Sequence, residues 1–426
     1  ERAHRTVTSP STPSDAPADE PSAHGAASTA ASTPTSVCAT SPGAAVAWVD
    51  AERQRAFDTW LAGVQNRFGL LPASVRIASA DASFRRYLRV DANGTGTTTS
   101  ALTGNAGASN PSDGNPSAGR PAASYIVMDA PPAKEDCRPF AQVSGLLCQA
   151  GLRVPEVLAW DEAAGFMLLP DLGDTTYLAD LSQLDFTQRA DLKRADGLYR
   201  DAIDALVRLQ LGTTAAQGHV PPYDRALMQR EVDLFPDWYV TKHRGVTIDA
   251  KQRAILDQAF ETILNVCLAQ PGVLVHRDFH SRNLMIQPDQ PGAQPGVLDF
   301  QDAVWGPVTY DLVSLLRDAY IDWDESIQID WAVRYWEQAR KAGLPVSGDF
   351  GDFWRDLDWM GLQRHLKVLG IFCRLSHRDG KHGYLADLPR VWHQAHRIAA
   401  RYSVLRPLSR LLEEWSDVTI TSGYTF

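Results

Sequence analysis

No stretch of the 426-residue chain approaches the roughly 18 consecutive apolar residues that a membrane-spanning helix requires, which excludes an integral helical membrane role. Cysteine is scarce and unpatterned: Cys38, Cys137, Cys148, Cys267 and Cys373 are odd in number, scattered, and form no CxxC pair. That argues against a disulfide framework and a zinc knuckle, and fits a reducing compartment. Excess positive charge is also missing. Lys plus Arg is 41 against Asp plus Glu 51, a formal net charge of -10, and no dense basic block is present to track a phosphate backbone, so nucleic acid is not the expected partner. There is no internal repeat. The chain opens at Glu1 without a basic-then-apolar leader, so the cytoplasm is the expected location.

What is present is a core-forming composition, 44% hydrophobic, over a length sufficient for two or three domains. Residues 1–45 are Ser, Thr, Pro and Ala without an apolar period and read as a disordered tail. From Val46 the spacing of Trp48, Phe57, Trp60, Leu61, Val64 and Phe68 predicts an amphipathic helix. Val75–Ala78 and Arg86–Val90 read as a hairpin, and Tyr125–Met128 as a third strand reached only after residues 91–123, a flexible insertion poor in apolar residues. A helix around Phe140–Leu147 and two short strands, 156–160 and 165–169, complete a small lobe, 46–170. Residues 171–426 read as a larger helical lobe, with helices near 195–211, 224–240 and 248–269, one β island over 273–298, and helices again from Tyr310 to Trp415.

The chemistry sits in His276-Arg277-Asp278-Phe279-His280-Ser281-Arg282-Asn283, followed by Asp299-Phe300-Gln301. An Asp, an Asn five positions on, and a second Asp beyond the next hairpin are what metal-assisted phosphoryl transfer needs: one carboxylate to orient an acceptor hydroxyl and two oxygen donors for Mg²⁺. A lone Asp after a strand is ordinarily a turn former or helix cap, and it is the combination that carries the signal.

HRDFHSRN resembles the HxDxxxxN loop of aminoglycoside phosphotransferase-like kinases, and DFQD their metal-binding segment. In finer detail the chain is similar to bacterial anomeric kinases of N-acetylmuramate and N-acetylglucosamine, through residues 79–87, Met128-Asp129-Ala130-Pro131-Pro132, the loop itself, and Arg378-Asp379-Gly380-Lys381. The resemblance spans residues 47–415 apart from the insertion. It implies an α+β, two-lobed protein-kinase-like fold, a small β-rich N-lobe and a larger helical C-lobe. It further implies a monomeric, ATP- and Mg²⁺-dependent enzyme of cell-wall sugar recycling that makes a sugar 1-phosphate. Asp278 would position the acceptor hydroxyl, Asn283 and Asp299 would hold Mg²⁺, and His276 would be structural. Asp311 is either a brace for the catalytic loop or a helix N-cap.

Other expectations depend on the same resemblance. The turn before Phe84 lacks the glycines that usually let backbone approach phosphates, so Ser83 is a candidate to donate its hydroxyl to a phosphate, or a plain hairpin residue. Adenine would meet the inter-lobe segment from Leu169 through Asp171 to Leu172. No lysine stands on the third strand, where Met128-Asp129 takes its place. Arg86 or Arg89, with Lys134 behind them, would supply the cation, and their odd spacing allows at most one to face the cleft. Glu231, Trp238, His280 and Arg374 are candidates for the sugar pocket, against ordinary roles in core or solvent. The rival readings are a kinase of an aminoglycoside or choline-like alcohol, and a nucleotide-binding pseudokinase scaffold.

Overall fold

The structure, a computed structural model, describes residues 43–48, 50–80, 85–93, 123–287 and 294–416. Ser83 and nearly all of the expected tail and insertion lie outside the described residues.

Asp50 starts the first helix, α1 (Ala51–Phe68), by accepting the N–H groups of Glu52 at 2.8 Å and Arg53 at 3.2 Å, and Gly69 ends it in the left-handed region at φ 64°. Five antiparallel strands follow: β1 (Arg76–Ala80), β2 (Arg86–Ala92), β3 (Ala123–Asp129), then, after α2 (Arg138–Gln149), β4 (Ala159–Asp161) and β5 (Phe166–Pro170). Their spatial order is β1-β2-β3-β5-β4. The sheet has two faces because alternate residues of β2 and β3 part company. Leu88, Val90 and Val127 pack with Phe166 and Leu168 against Phe57 and Leu61 of α1. Tyr87, Ile126, Met128, Met167 and Leu169 turn instead toward Phe140, Val143 and Leu147 of α2 and join the main core. Phe166 is fully buried between α1 and the sheet, so Phe166→Ala should cost about 3–5 kcal/mol.

The second lobe comprises α3 (Tyr177–Leu181), α4 (Arg189–Gly212), α5 (Arg225–Leu234), a π-helical segment (Phe235–His243) and α6 (Ala250–Leu268). Two short two-stranded sheets come next, formed by β6 (Gly272–Val275), β7 (Leu284–Met285), β8 (Gly296–Val297) and β9 (Val304–Pro307). The lobe closes with α7 (Tyr310–Leu316), α8 (Glu325–Ala342), α9 (Phe350–Asp379), α10 (Leu388–Arg401) and α11 (Arg406–Trp415).

Two features depart from the sequence reading. The helix expected over 224–240 changes character after Leu234, where the backbone of α9 crosses: a Cβ added to Gly370 would lie 2.4 Å from the Leu234 carbonyl. Pro236 adds a second disturbance by removing a backbone donor. The fourth strand of the island, β9, pairs antiparallel with β6, although its Val-Trp-Gly-Pro sequence carries no strand signature. Every residue of α9 from Leu357 to Gly370 is buried, so this helix is the axis of the lobe rather than part of its surface.

Candidate active site

β6 ends at Val275 and delivers the loop His276–Asn283. Asp311, in the first turn of α7, fixes the loop's entry: its Oδ2 accepts the His276 N–H at 2.7 Å and its Oδ1 the Arg277 N–H at 3.0 Å. The cap position belongs to Thr309, so Asp311 is a brace and not an N-cap. With both backbone groups tied, Arg277 is held at φ 78°, a left-handed conformation that costs a non-glycine residue about 1–3 kcal/mol. Its side chain offsets this by pairing with Glu231 at 2.6 Å.

Asp278 follows with 44% of its side chain exposed. Asn283 donates from Nδ2 to the Asp278 carbonyl at 3.0 Å and to Asp299 Oδ2 at 3.4 Å, which leaves its Oδ1 as the atom available to a cation. Asp299 is the second non-glycine residue with positive φ, at 66°, and Gln301 Nε2 donates to its Oδ1 at 2.7 Å. The donors that converge are hard oxygens, suited to Mg²⁺ rather than to a thiolate- or imidazole-binding metal. Among the described residues no group of three or more His, Cys, Asp and Glu could cage a metal, so two protein oxygens would leave the remaining positions to phosphates and water.

The surroundings hold Asp278 ionised. Desolvation pushes its carboxyl up, but His280, Lys367, Arg364 and Arg277 together outweigh it and leave the pKa below the ordinary value. Burial also lowers the pKa of His280, so near neutral pH the cations at work are Lys367, Arg364 and Arg277. His276 is buried and drops to about 4, a neutral structural imidazole.

The candidates for nucleotide contact separate. Arg86 is on the α1 face: its guanidinium stacks 4.3 Å from the Trp48 ring centroid and binds Asp129 at 2.5 Å and 3.0 Å, alongside Arg53. It does not face the cleft, because even-numbered positions of β2 point to α1. Asp171 is also spoken for, since its carboxylate accepts from Arg89 at 2.6 Å and 3.0 Å, from Ser124 Oγ at 2.7 Å and from Gly173 N–H at 3.0 Å. Arg89 further binds Asp174, so it ties β2 to the connector that leads into α3. Leu169 is buried on the cleft-side face opposite Ile126, where an apolar ring could lie. Lys134 is exposed in the turn after β3.

Sequence reasoning missed Arg85. It lies in phase with Tyr87 on the cleft-side face, is buried, and pairs with Glu135 at 3.2 Å; burial opposes its charge, but Tyr87 and Glu135 more than restore it. The signal was strand phase, which the neighbouring Arg86 obscured.

Of the sugar-pocket candidates, Glu231 is redirected inward. It is buried among Arg277, Lys367 at 2.9 Å, Tyr223 and Gln363 at 3.1 Å, and although desolvation raises its pKa, Lys367 and Arg277 pull it down to about 2. No carboxylate oxygen is left over for a sugar hydroxyl. Trp238 is part-buried in the π-helical segment and packs on the main core. Arg374 is half-buried, its guanidinium pKa lowered by burial and by Arg378, and its Nε has no hydrogen-bond partner. His280 stands beside Asp278, with Nε2 3.9 Å from Oδ1 and its ring edge-on to Tyr320 at 5.6 Å.

A small sheet lobe followed by a helical lobe, with an Asp-Asn-Asp constellation at the ends of the island strands, defines a kinase-like phosphotransferase. The chain belongs to the phosphotransferase enzyme family, whose model matches residues 113–347. It is 43% identical over 350 residues to an N-acetylmuramate/N-acetylglucosamine kinase of Pseudomonas putida, covering 82% of this chain and 91% of that one. It is 42% identical over 376 residues to a protein of the same description from Neisseria meningitidis serogroup B, covering 88% of this chain and all of the relative. Among solved structures, the gentamicin complex of the aminoglycoside phosphotransferase APH(2'')-IIa superposes with a TM-score of 0.50 at 14% identity, over 81% of this chain and 97% of that one. A putative aminoglycoside phosphotransferase from Ralstonia eutropha gives the same score at 12% identity, over 84% and 98%. The fold is the protein-kinase-like one of aminoglycoside phosphotransferases.

Proposed function

We propose that the protein transfers the γ-phosphoryl group of ATP, with Mg²⁺, to the anomeric hydroxyl of N-acetylmuramate or N-acetylglucosamine, giving the sugar 1-phosphate in the cytoplasm. The observation that carries the transfer chemistry is the ionised, part-exposed Asp278, set by Asp311 and Asn283 beside the Asp299 carboxylate. The relatives' descriptions support the sugar.

Asp278 accepts a hydrogen bond from the acceptor hydroxyl and takes its proton as the oxygen bonds to the γ-phosphorus. The bond to the β,γ-bridging oxygen breaks, and its electron pair leaves with ADP. A hemiacetal hydroxyl is more acidic than an ordinary alcohol, so a carboxylate with a lowered pKa is an adequate acceptor. Asn283 Oδ1 and Asp299 would hold Mg²⁺, which supplies charge neutralisation on the phosphates. Arg85, paired with Glu135, is the cation that stands in for the missing third-strand lysine.

Phosphorus NMR of the product tests this reading. A 1-phosphate couples to the anomeric proton and is acid-labile. A 6-phosphate, or phosphorylation of an aminoglycoside with both sugars ignored, would overturn the acceptor assignment and leave the family membership intact.

A further inference from the structure

Four residues beyond Asp278, the side chain of Arg282 leaves the catalytic loop and lies over two phenol rings, 4.7 Å from the Tyr320 centroid and 5.7 Å from that of Tyr384. No Asp or Glu among the described residues forms an ion pair with it, so its charge rests against the two rings. Every other arginine that flanks the reacting carboxylate is differently placed: Arg277 is paired with Glu231, and Arg364 is buried with its Nε on Ser314 Oγ at 2.7 Å. Arg282 is the exposed one.

Its position is fixed from behind. Asp318 Oδ2 accepts the Ser281 N–H at 3.0 Å and the Ser281 hydroxyl at 2.5 Å, while Oδ1 accepts the Tyr320 N–H at 3.0 Å. One buried carboxylate thus locks the residue before Arg282 to the residue it stacks on. From Asp278 outward the wall is continuous: His280 edge-on to Tyr320, Tyr320 against Phe372 at 5.9 Å, and Phe372 against Tyr384 at 5.1 Å. An aromatic surface of this kind takes the C–H face of a sugar, and an exposed guanidinium takes an anion, with bidentate geometry for a carboxylate.

We infer that Arg282, cradled by Tyr320 and Tyr384, is the residue that receives a carboxylate on the acceptor and so sets selectivity between an amino sugar bearing a carboxylated ether and one without it. The inference rests on the proposed amino-sugar acceptor. N-acetylmuramate carries an O-linked lactyl carboxylate that N-acetylglucosamine lacks, and the uncharged sugar offers Arg282 only neutral, weaker acceptors. Charge-assisted hydrogen bonds are worth enough that their loss changes relative specificity by roughly 10- to 100-fold.

The test is kcat/KM for both sugars at saturating ATP, and KM for ATP, in the unaltered enzyme, Arg282→Ala and Arg282→Lys. The ratio of N-acetylmuramate to N-acetylglucosamine specificity should fall at least tenfold in Arg282→Ala, through KM of the acid sugar, and recover in part in Arg282→Lys, which keeps the charge. Equal losses on both sugars, or a rise in KM for ATP that tracks the loss, would show a structural or nucleotide role and overturn the inference while the sugar-kinase reading stands. An unaltered enzyme that turns over neither sugar would overturn both.

Discussion

Lys367, in the buried stretch of α9, lies 2.9 Å from Glu231 on α5, and through that carboxylate it is coupled to Arg277 of the catalytic loop. The pair is buried on both sides. Its energetic meaning is asymmetric, because removing Glu231 strands two cations, Lys367 and Arg277, at a cost of about 3–5 kcal/mol, whereas removing Lys367 leaves Glu231 still paired with Arg277 and costs less. Glu231→Leu alone should therefore shift the urea midpoint strongly downward, and adding Lys367→Met should recover part of that loss. Turnover should stay depressed in both, since Arg277 no longer has its anchor. A single substitution that leaves the midpoint in place would remove the coupling from the account.

The same carboxylate predicts a pH dependence. Glu231 moves from an ordinary 4.5 to about 2 in the folded protein. A depressed acid pKa contributes stability that is complete above the unfolded value and disappears as pH falls through the folded one. Melting temperature should decline between about pH 4.5 and pH 2, and Glu231→Gln should flatten that decline while starting from a lower value at neutral pH. Parallel curves for the two proteins would refute the assignment.

Asp278→Asn and Asp299→Asn separate orientation from charge compensation. Either should reduce kcat by about 10²-fold or more, and only Asp299→Asn should raise the Mg²⁺ concentration needed for half-maximal rate. Asn tolerates the left-handed backbone of Asp299, so circular dichroism and melting should change little there. Full activity in either variant contradicts the site.

Strand phase distinguishes two adjacent arginines. Arg85→Ala should raise KM for ATP about tenfold, whereas Arg86→Ala should leave it within about twofold and lower the melting temperature, because Arg86 holds Asp129 against α1. A reversed pattern would place the cleft on the other face of the sheet.

The loop His276–Asn283 was legible as a candidate site because its residues are close in sequence and the proposed chemistry depends on spacing. Asp311 was legible as a choice between two roles, and only its contacts with His276 and Arg277 resolve it. Lys367, Arg364 and Asp318 were not legible, since they reach the loop from α9 and from the connection after α7 and look locally like ordinary polar residues. Glu231 was noticed for its charge but assigned to the wrong side, because a helical period shows which residues share a face and not which neighbour that face meets. The π-helical segment was invisible for a related reason: its cause, the crossing at Gly370, is more than a hundred positions away.

The burial of α9 has a consequence for how the protein comes into being. Synthesis runs from the N-terminus, so His276–Asp299 leaves the ribosome before the segment Leu357–Gly370. A nascent chain thus carries the full Asp-Asn-Asp motif while Lys367 and Arg364, two of the cations that offset the burial of Asp278, do not yet exist. The electrostatic setting of Asp278 is therefore complete only once α9 occupies the core of the lobe.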